Sequence, residues 1–192
     1  MASNIPWDSI PDASTDDKRA AEMLLRLDNG EERRTKFSGG WLYLHDATNT
    51  VDNKQSIASD TETLLTIDGL ASDSETNFRR GVPLDVWSGN TLQPQATGET
   101  YEINLTYRIS KSSSNATYMR TEIMIGENYD ILVAEDRRPL IKGSDQDDFL
   151  FFNGTLFVTG AMGAHGARFF LNCSEDVNVW DKAIYIQRTH TP

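Results

Sequence analysis

The chain has 192 residues, a formal charge of -11 from 29 acidic and 18 basic side chains, and a single cysteine, Cys173. That length suits one substantial core plus an arm, and the acidic excess excludes sequence-independent binding to nucleic acid, which needs Lys and Arg against phosphate. One cysteine excludes an internal disulfide framework and a cysteine-based zinc site, so Cys173 reads as a small apolar core residue.

The predicted elements begin with an N-terminal arm and helix over residues 1–40. Met1 to Asp12 is polar and lacks a basic region followed by an apolar stretch, so no secretory signal is read there. No segment reaches the roughly 20 apolar residues of a membrane span, and no membrane partner is expected. Thr15 serves as an N-cap, Asp16 and Asp17 complement the positive end of a helix dipole, and Ala20, Met23, Leu24 and Leu27 recur at helical spacing. Gly30 is placed to end the helix. A helix of about 13 residues with so narrow an apolar stripe is marginal alone and must dock. Met23, Leu24 and Leu27 are therefore candidate partner-binding anchors, with Trp41 beside them at the start of the next element.

From residue 41 to 192 strands take over. Composition predicts them at Trp41 to His45, Leu64 to Ile67, Leu84 to Trp87, Tyr101 to Ile109, Tyr118 to Ile125 and Ile131 to Val133. The series continues with Phe149 to Phe152, Leu156 to Val158, Arg168 to Leu171, Val177 to Trp180 and Ala183 to Gln187. Tyr101 to Ile109 alternates without a slip, with Tyr101, Ile103, Leu105, Tyr107 and Ile109 on one side and Glu102, Asn104, Thr106 and Arg108 on the other. Polar loops are expected over Asp46 to Ser59 and Ala71 to Arg80. Asn153-Gly154, between two apolar runs, predicts a tight hairpin, and the Gly/Ala link from Gly160 to Ala167 predicts a turn or a close backbone approach. Short strands joined by short turns, with no βαβ rhythm, give an all-β fold, an antiparallel jelly-roll β-sandwich with a short N-terminal helix.

Catalytic parts are scarce. Only His45, His165 and His190 could serve a nucleophile, and adjacent His45 and Asp46 would point to opposite faces of a strand. No nucleophile elbow, phosphate loop, zinc-protease motif or dinucleotide fingerprint is present. The sequence therefore predicts a chain that is not an enzyme and has no cofactor. Asp145, Asp147 and Asp148 hint at a cation but lack the full pattern of a calcium loop, so they read as a solvated acidic loop. Among the aromatics, Phe151, Phe152, Phe157, Phe169 and Phe170 are assigned to the core. Trp87, Tyr101, Tyr107, Tyr118 and Tyr129 are weighed as a stacking platform for a sugar, with Trp87 and Tyr118 kept as the candidate ligand platform.

The stretch from Asp147 to Arg188 reads D-D-F-L-F-F-N-G-T-L-F-V, a Gly/Ala link, and a closing strand with Ile184, Ile186 and Arg188 in an I-x-I-x-R pattern. It resembles the ends of small jelly-roll proteins in tailed-phage structural modules. The resemblance implies a virion component made in the host cytoplasm: a capsid decoration (cement) protein or a head-fibre or tail appendage. It further implies a homotrimer whose partners are itself and the major capsid protein or another virion protein. A carbohydrate-binding β-sandwich module is the alternative.

Overall fold

The structure is a computed structural model describing residues 40–77, 86–112, 114–141 and 147–190, all within the unit Gly39–Pro192. The predicted N-terminal helix, with Met23, Leu24 and Leu27, lies outside the described residues. Twelve strands and one short helix follow: β1 (Trp41–His45), β2 (Gln55–Ile57), β3 (Thr63–Leu64), β4 (Glu75–Asn77), β5 (Trp87–Ser88), β6 (Thr91–Leu92), β7 (Thr100–Lys111), β8 (Tyr118–Ile125), β9 (Ile131–Pro139), β10 (Asp147–Phe157), α1 (Gly160–His165), β11 (Ala167–Cys173) and β12 (Val177–His190).

They form two antiparallel sheets. Sheet one runs β10-β7-β12-β1-β4, with β2 also on β12, and sheet two runs β5-β6-β11-β8-β9, with β3 on β11. β1, β2 and β4 join sheet one and β3, β5 and β6 sheet two; from β7 in sheet one the chain then lays β8 and β9 in sheet two, returns at β10, crosses at β11 and closes at β12. This winding makes the jelly-roll sandwich expected from the sequence. The core lies between the inner faces. Leu42, Leu44, Ile103, Leu105, Ile109, Phe152 and Ile184 come from sheet one, and Met119, Ile123, Phe169, Leu171 and Cys173 from sheet two. β7 keeps the predicted alternation, burying Tyr101, Ile103, Leu105, Tyr107 and Ile109 while Glu102, Asn104 and Arg108 face out.

Three expectations are corrected. Asn153-Gly154 is not a hairpin, because β10 runs unbroken and pairs with β7 along its whole length, Asn153 opposite Asn104 and Gly154 opposite Ile103. A twelve-residue template strand outweighs the local turn preference. Phe151 and Phe157 are not core: they are 47% and 64% exposed, with Phe149 at 56%, because β10 ends sheet one and its odd-numbered residues point outward. Asp148 is not in a solvated loop; as the second residue of β10 it faces inward and meets the buried Lys111 at 2.9 Å, whose ammonium also donates to the Ile141 carbonyl.

The link after β10 folds as α1 with Met162 buried. It is followed by Gly166 at φ 80°, where a Cβ would lie 2.5 Å from the Leu92 carbonyl oxygen. Only glycine fits that close approach.

Candidate functional site

Opposed residues on antiparallel strands share a face, so the register of sheet one defines its outer surface in rows. Trp41 lies opposite Gln187, which lies opposite Glu102 and then Thr155. Tyr43, Tyr185, Asn104 and Asn153 form the next row, and His45, Ala183, Thr106 and Phe151 the third. Trp180, Arg108 and Phe149 form the fourth. The surface is rich in aromatics: the Trp41 and Tyr185 rings are 5.9 Å apart, and the Arg108 guanidinium sits 5.7 Å from the Phe149 ring centre.

The flank beside this face is apolar as well. β9 ends sheet two and leaves Ile131, Leu132 and Val133 each more than 40% exposed. After Ala134 come Glu135, Asp136, Arg137 and Arg138, which carry two charges of each sign. Arg138 reaches round the flank to within 4.7 Å of the Phe151 ring centre, joining the two edge strands, and its Nε donates to Asp136 at 2.7 Å.

A cavity of about 410 Å³ opens at the other side of the same face, lined by His45, Asp46, Ala47, Asn49, Thr50, Val51, Ala71, Trp180 and Asp181. A β-bulge creates it. Trp180 opposes Arg108 and Ala183 opposes Thr106, so Asp181 and Lys182 together face the single residue Tyr107. Asp181 takes the left-handed region at φ 52° and turns outward. There its carboxylate accepts from Arg108 Nε at 2.9 Å and lies 3.1 Å from His45 Nε2. The other ring nitrogen, His45 Nδ1, is 3.0 Å from both oxygens of Asp73.

Lys182 turns inward instead. Its fully buried ammonium meets Asp46 at 2.9 Å and donates to Asn49 Oδ1 and Gln55 Oε1, each at 2.7 Å. Burial pulls the Lys182 ammonium below the ordinary lysine value despite the Asp46 partner. Burial alone would lower His45 too, but its hydrogen bonds to Asp73 and Asp181 carry it above the ordinary histidine value. Asp181 is held below the usual carboxylate value: its burial acts upward and is outweighed by the bonds from Arg108 and His45.

The structure disperses the candidates drawn from the sequence. Trp41 lies on the outer face just described. Trp87 is on β5, half-buried against the core with its ring 5.9 Å from Phe169. Tyr118 starts β8, its ring under the Arg137 guanidinium at 3.8 Å and its hydroxyl donating to Asp60. β6 and β11 separate Trp87 from Tyr118. Tyr101 and Tyr107 are buried. Sequence reasoning put Arg108 on the outward side of β7 but passed over Asp73, Asp181 and Lys182. One signal for the last two is present: in β12 the apolar positions switch from odd (Val177, Val179) to even (Ile184, Ile186), which is the mark of a one-residue bulge.

No protein-family model and no curated protein sequence matches the chain. Among solved structures it is similar to PRD1 vertex protein P5, at 15% identity over 80% of this chain and 73% of that one, with a TM-score of 0.45. It is also similar to Eiger TNF from S. frugiperda, at 10% identity over 79% and 93%, TM-score 0.47. A third is the Stig cyclase Fisc from Fischerella sp. TAU, at 16% identity over 79% and 86%, TM-score 0.39. These likenesses are of fold. The expectation that the chain is not an enzyme does not stand, since cyclases are among the solved structures that it is similar to.

Proposed function

We propose that the chain is a structural protein of a phage virion, a capsid decoration (cement) protein that binds the outer surface of the head as a homotrimer. One observation carries the reading: large apolar side chains point outward on the two strands that end the sheets at one flank, Phe149, Phe151 and Phe157 on β10 and Ile131, Leu132 and Val133 on β9. An exposed apolar edge of this length is an association surface. The occupant is a second copy. In a chain of charge -11, the stretch Glu135 to Arg138 of β9 holds two acids and two arginines, so a second copy meets no net local charge there. The β9 edge and the aromatic outer face of sheet one are different surfaces, so pairing one with the other is heterologous, and a three-fold rotation between copies closes it into the trimer.

Binding to the assembled shell in preference to its free subunits adds a mass-action term to particle stability. The arm 1–30, with Met23, Leu24 and Leu27, the loop Asp46 to Ser59 and the indole of Trp41 are the contacts assigned to the shell or to a neighbouring copy. A carbohydrate-binding module is the second reading, favoured by the Trp41 and Tyr185 ring pair beside Gln187 and Glu102.

Light scattering on the purified chain and co-sedimentation with capsids test the proposal. The wild type runs as a trimer and sediments with particles, while Phe151→Asp and Leu132→Asp run as monomers with unchanged circular dichroism. A monomeric wild type overturns the assembly, and a trimer that binds immobilised glycans but no capsid favours the second reading.

A further inference from the structure

The contacts of His45 demand more protons than a neutral imidazole carries. Both of its ring nitrogens lie within 3.1 Å of carboxylate oxygens, Nδ1 at Asp73 and Nε2 at Asp181, yet a neutral ring has one N–H and one lone pair. Only the imidazolium donates at both ends. We propose that His45 is a pH-responsive clasp: doubly protonated, it ties the segment between β3 and β4 to the β12 bulge and keeps the rim of the adjacent cavity electrically neutral.

The charges around it define both states. Asp73 comes from the β3–β4 segment, Asp181 from β12, and Arg108 from β7 through its bond to Asp181. Tyr43, on β1 itself, has its ring 6.4 Å from the imidazole and faces Glu75 of β4. Asp46 and Lys182 turn the other way and neutralise each other. With His45 protonated, the imidazolium and Arg108 balance Asp73 and Asp181. Without that proton these four groups carry one net negative charge.

The weaker link is at the bulge. Asp181 keeps Arg108 as a second donor, whereas among the described residues the Asp73 carboxylate bonds to His45 alone. The neutral tautomer therefore keeps its proton on Nδ1 for Asp73, and the Nε2 lone pair repels Asp181. Backbone bonds such as Ala71 N–H to the His45 carbonyl and Ala47 N–H to the Gly69 carbonyl hold the β3–β4 segment in place. The opening is thus confined to the ring, the bulge carboxylate and the cavity they line.

The folded value of His45 is raised above 6.5, so its stabilising contribution is full below about 6.5 and is lost as pH rises through the folded value. Asp181 is lowered from 3.8, and its contribution is lost only as pH falls below that.

Long-range ¹H–¹⁵N NMR on the full chain, titrated from about pH 5 to 9, tests the clasp. Both His45 ring nitrogens should carry protons at the acid end, and the midpoint should lie above 6.5. The backbone amide of Asp181 should move with the same midpoint, and Asp73→Asn and Asp181→Asn should each shift that midpoint downward. A wild-type midpoint at or below 6.5, an Asp181 amide that ignores the transition, or a midpoint unchanged in both variants would overturn the proposal.

Discussion

Gly154 lies opposite Ile103 in mid-strand, and its lack of a side chain serves a neighbour instead of a turn. A Cβ there would lie 2.8 Å from Cε1 and Cζ of the Phe152 ring, and Phe152 is 3% exposed within the core cluster. The ring cannot swing away without displacing its packing. Gly154→Ala should therefore destabilise the fold by roughly 1–3 kcal/mol, the usual cost of overpacking, although alanine ordinarily suits a strand interior better than glycine. Urea unfolding measures it: a lowered midpoint at unchanged slope is expected, and a raised midpoint would mean that the site behaves as an ordinary strand position. The residue pair Asn153-Gly154 carries a strong local signal for a hairpin, and that signal holds no information about a ring two residues back. A contact of this kind is not legible in one sequence.

At the level of elements, what could be read depended on whether apolar and polar residues alternate. β1 and β8 appear at their predicted bounds and β7 within two residues of its own, and in β7 polar residues mark one face cleanly. β10 offers no such contrast: Phe149, Leu150, Phe151 and Phe152 are all apolar, so the sequence marks neither face, and only the pairing with β7 sends Leu150 and Phe152 inward. β12 contains its bulge as a phase switch, which divides one strand into two predicted ones. The candidate site was less legible than the fold, because Asp73, Arg108 and Asp181 are distant in sequence and meet only through strand pairing. Two adjacent phenylalanines give a direct check on β10. Phe152→Ala removes a buried ring and should cost roughly 3–5 kcal/mol. Phe151→Ala removes an outward one and, under conditions where the chain is monomeric, should stay within about 0.5 kcal/mol. Chemical denaturation at low concentration separates them, and equal costs would place both rings in the core.

The whole molecule sets association against repulsion. A charge of -11 spread over one chain makes copies repel at long range, while the apolar flank and aromatic face attract at contact, and these terms respond differently to salt. Repulsion between exposed charges is screened over about 10 Å at 0.1 M ionic strength and about 3 Å at 1 M, whereas apolar burial is little weakened by simple salts and strengthened by sulfate. The proposed trimer should therefore tighten as sodium chloride rises from about 0.05 to 0.5 M. Phe151→Asp and Leu132→Asp should remain monomeric throughout, because the added carboxylate must be desolvated at the contact itself. Sedimentation equilibrium across that range makes the comparison. If association weakened with salt, the contact would be built from charge pairs such as those of Glu135, Asp136, Arg137 and Arg138, and the apolar flank would no longer account for assembly.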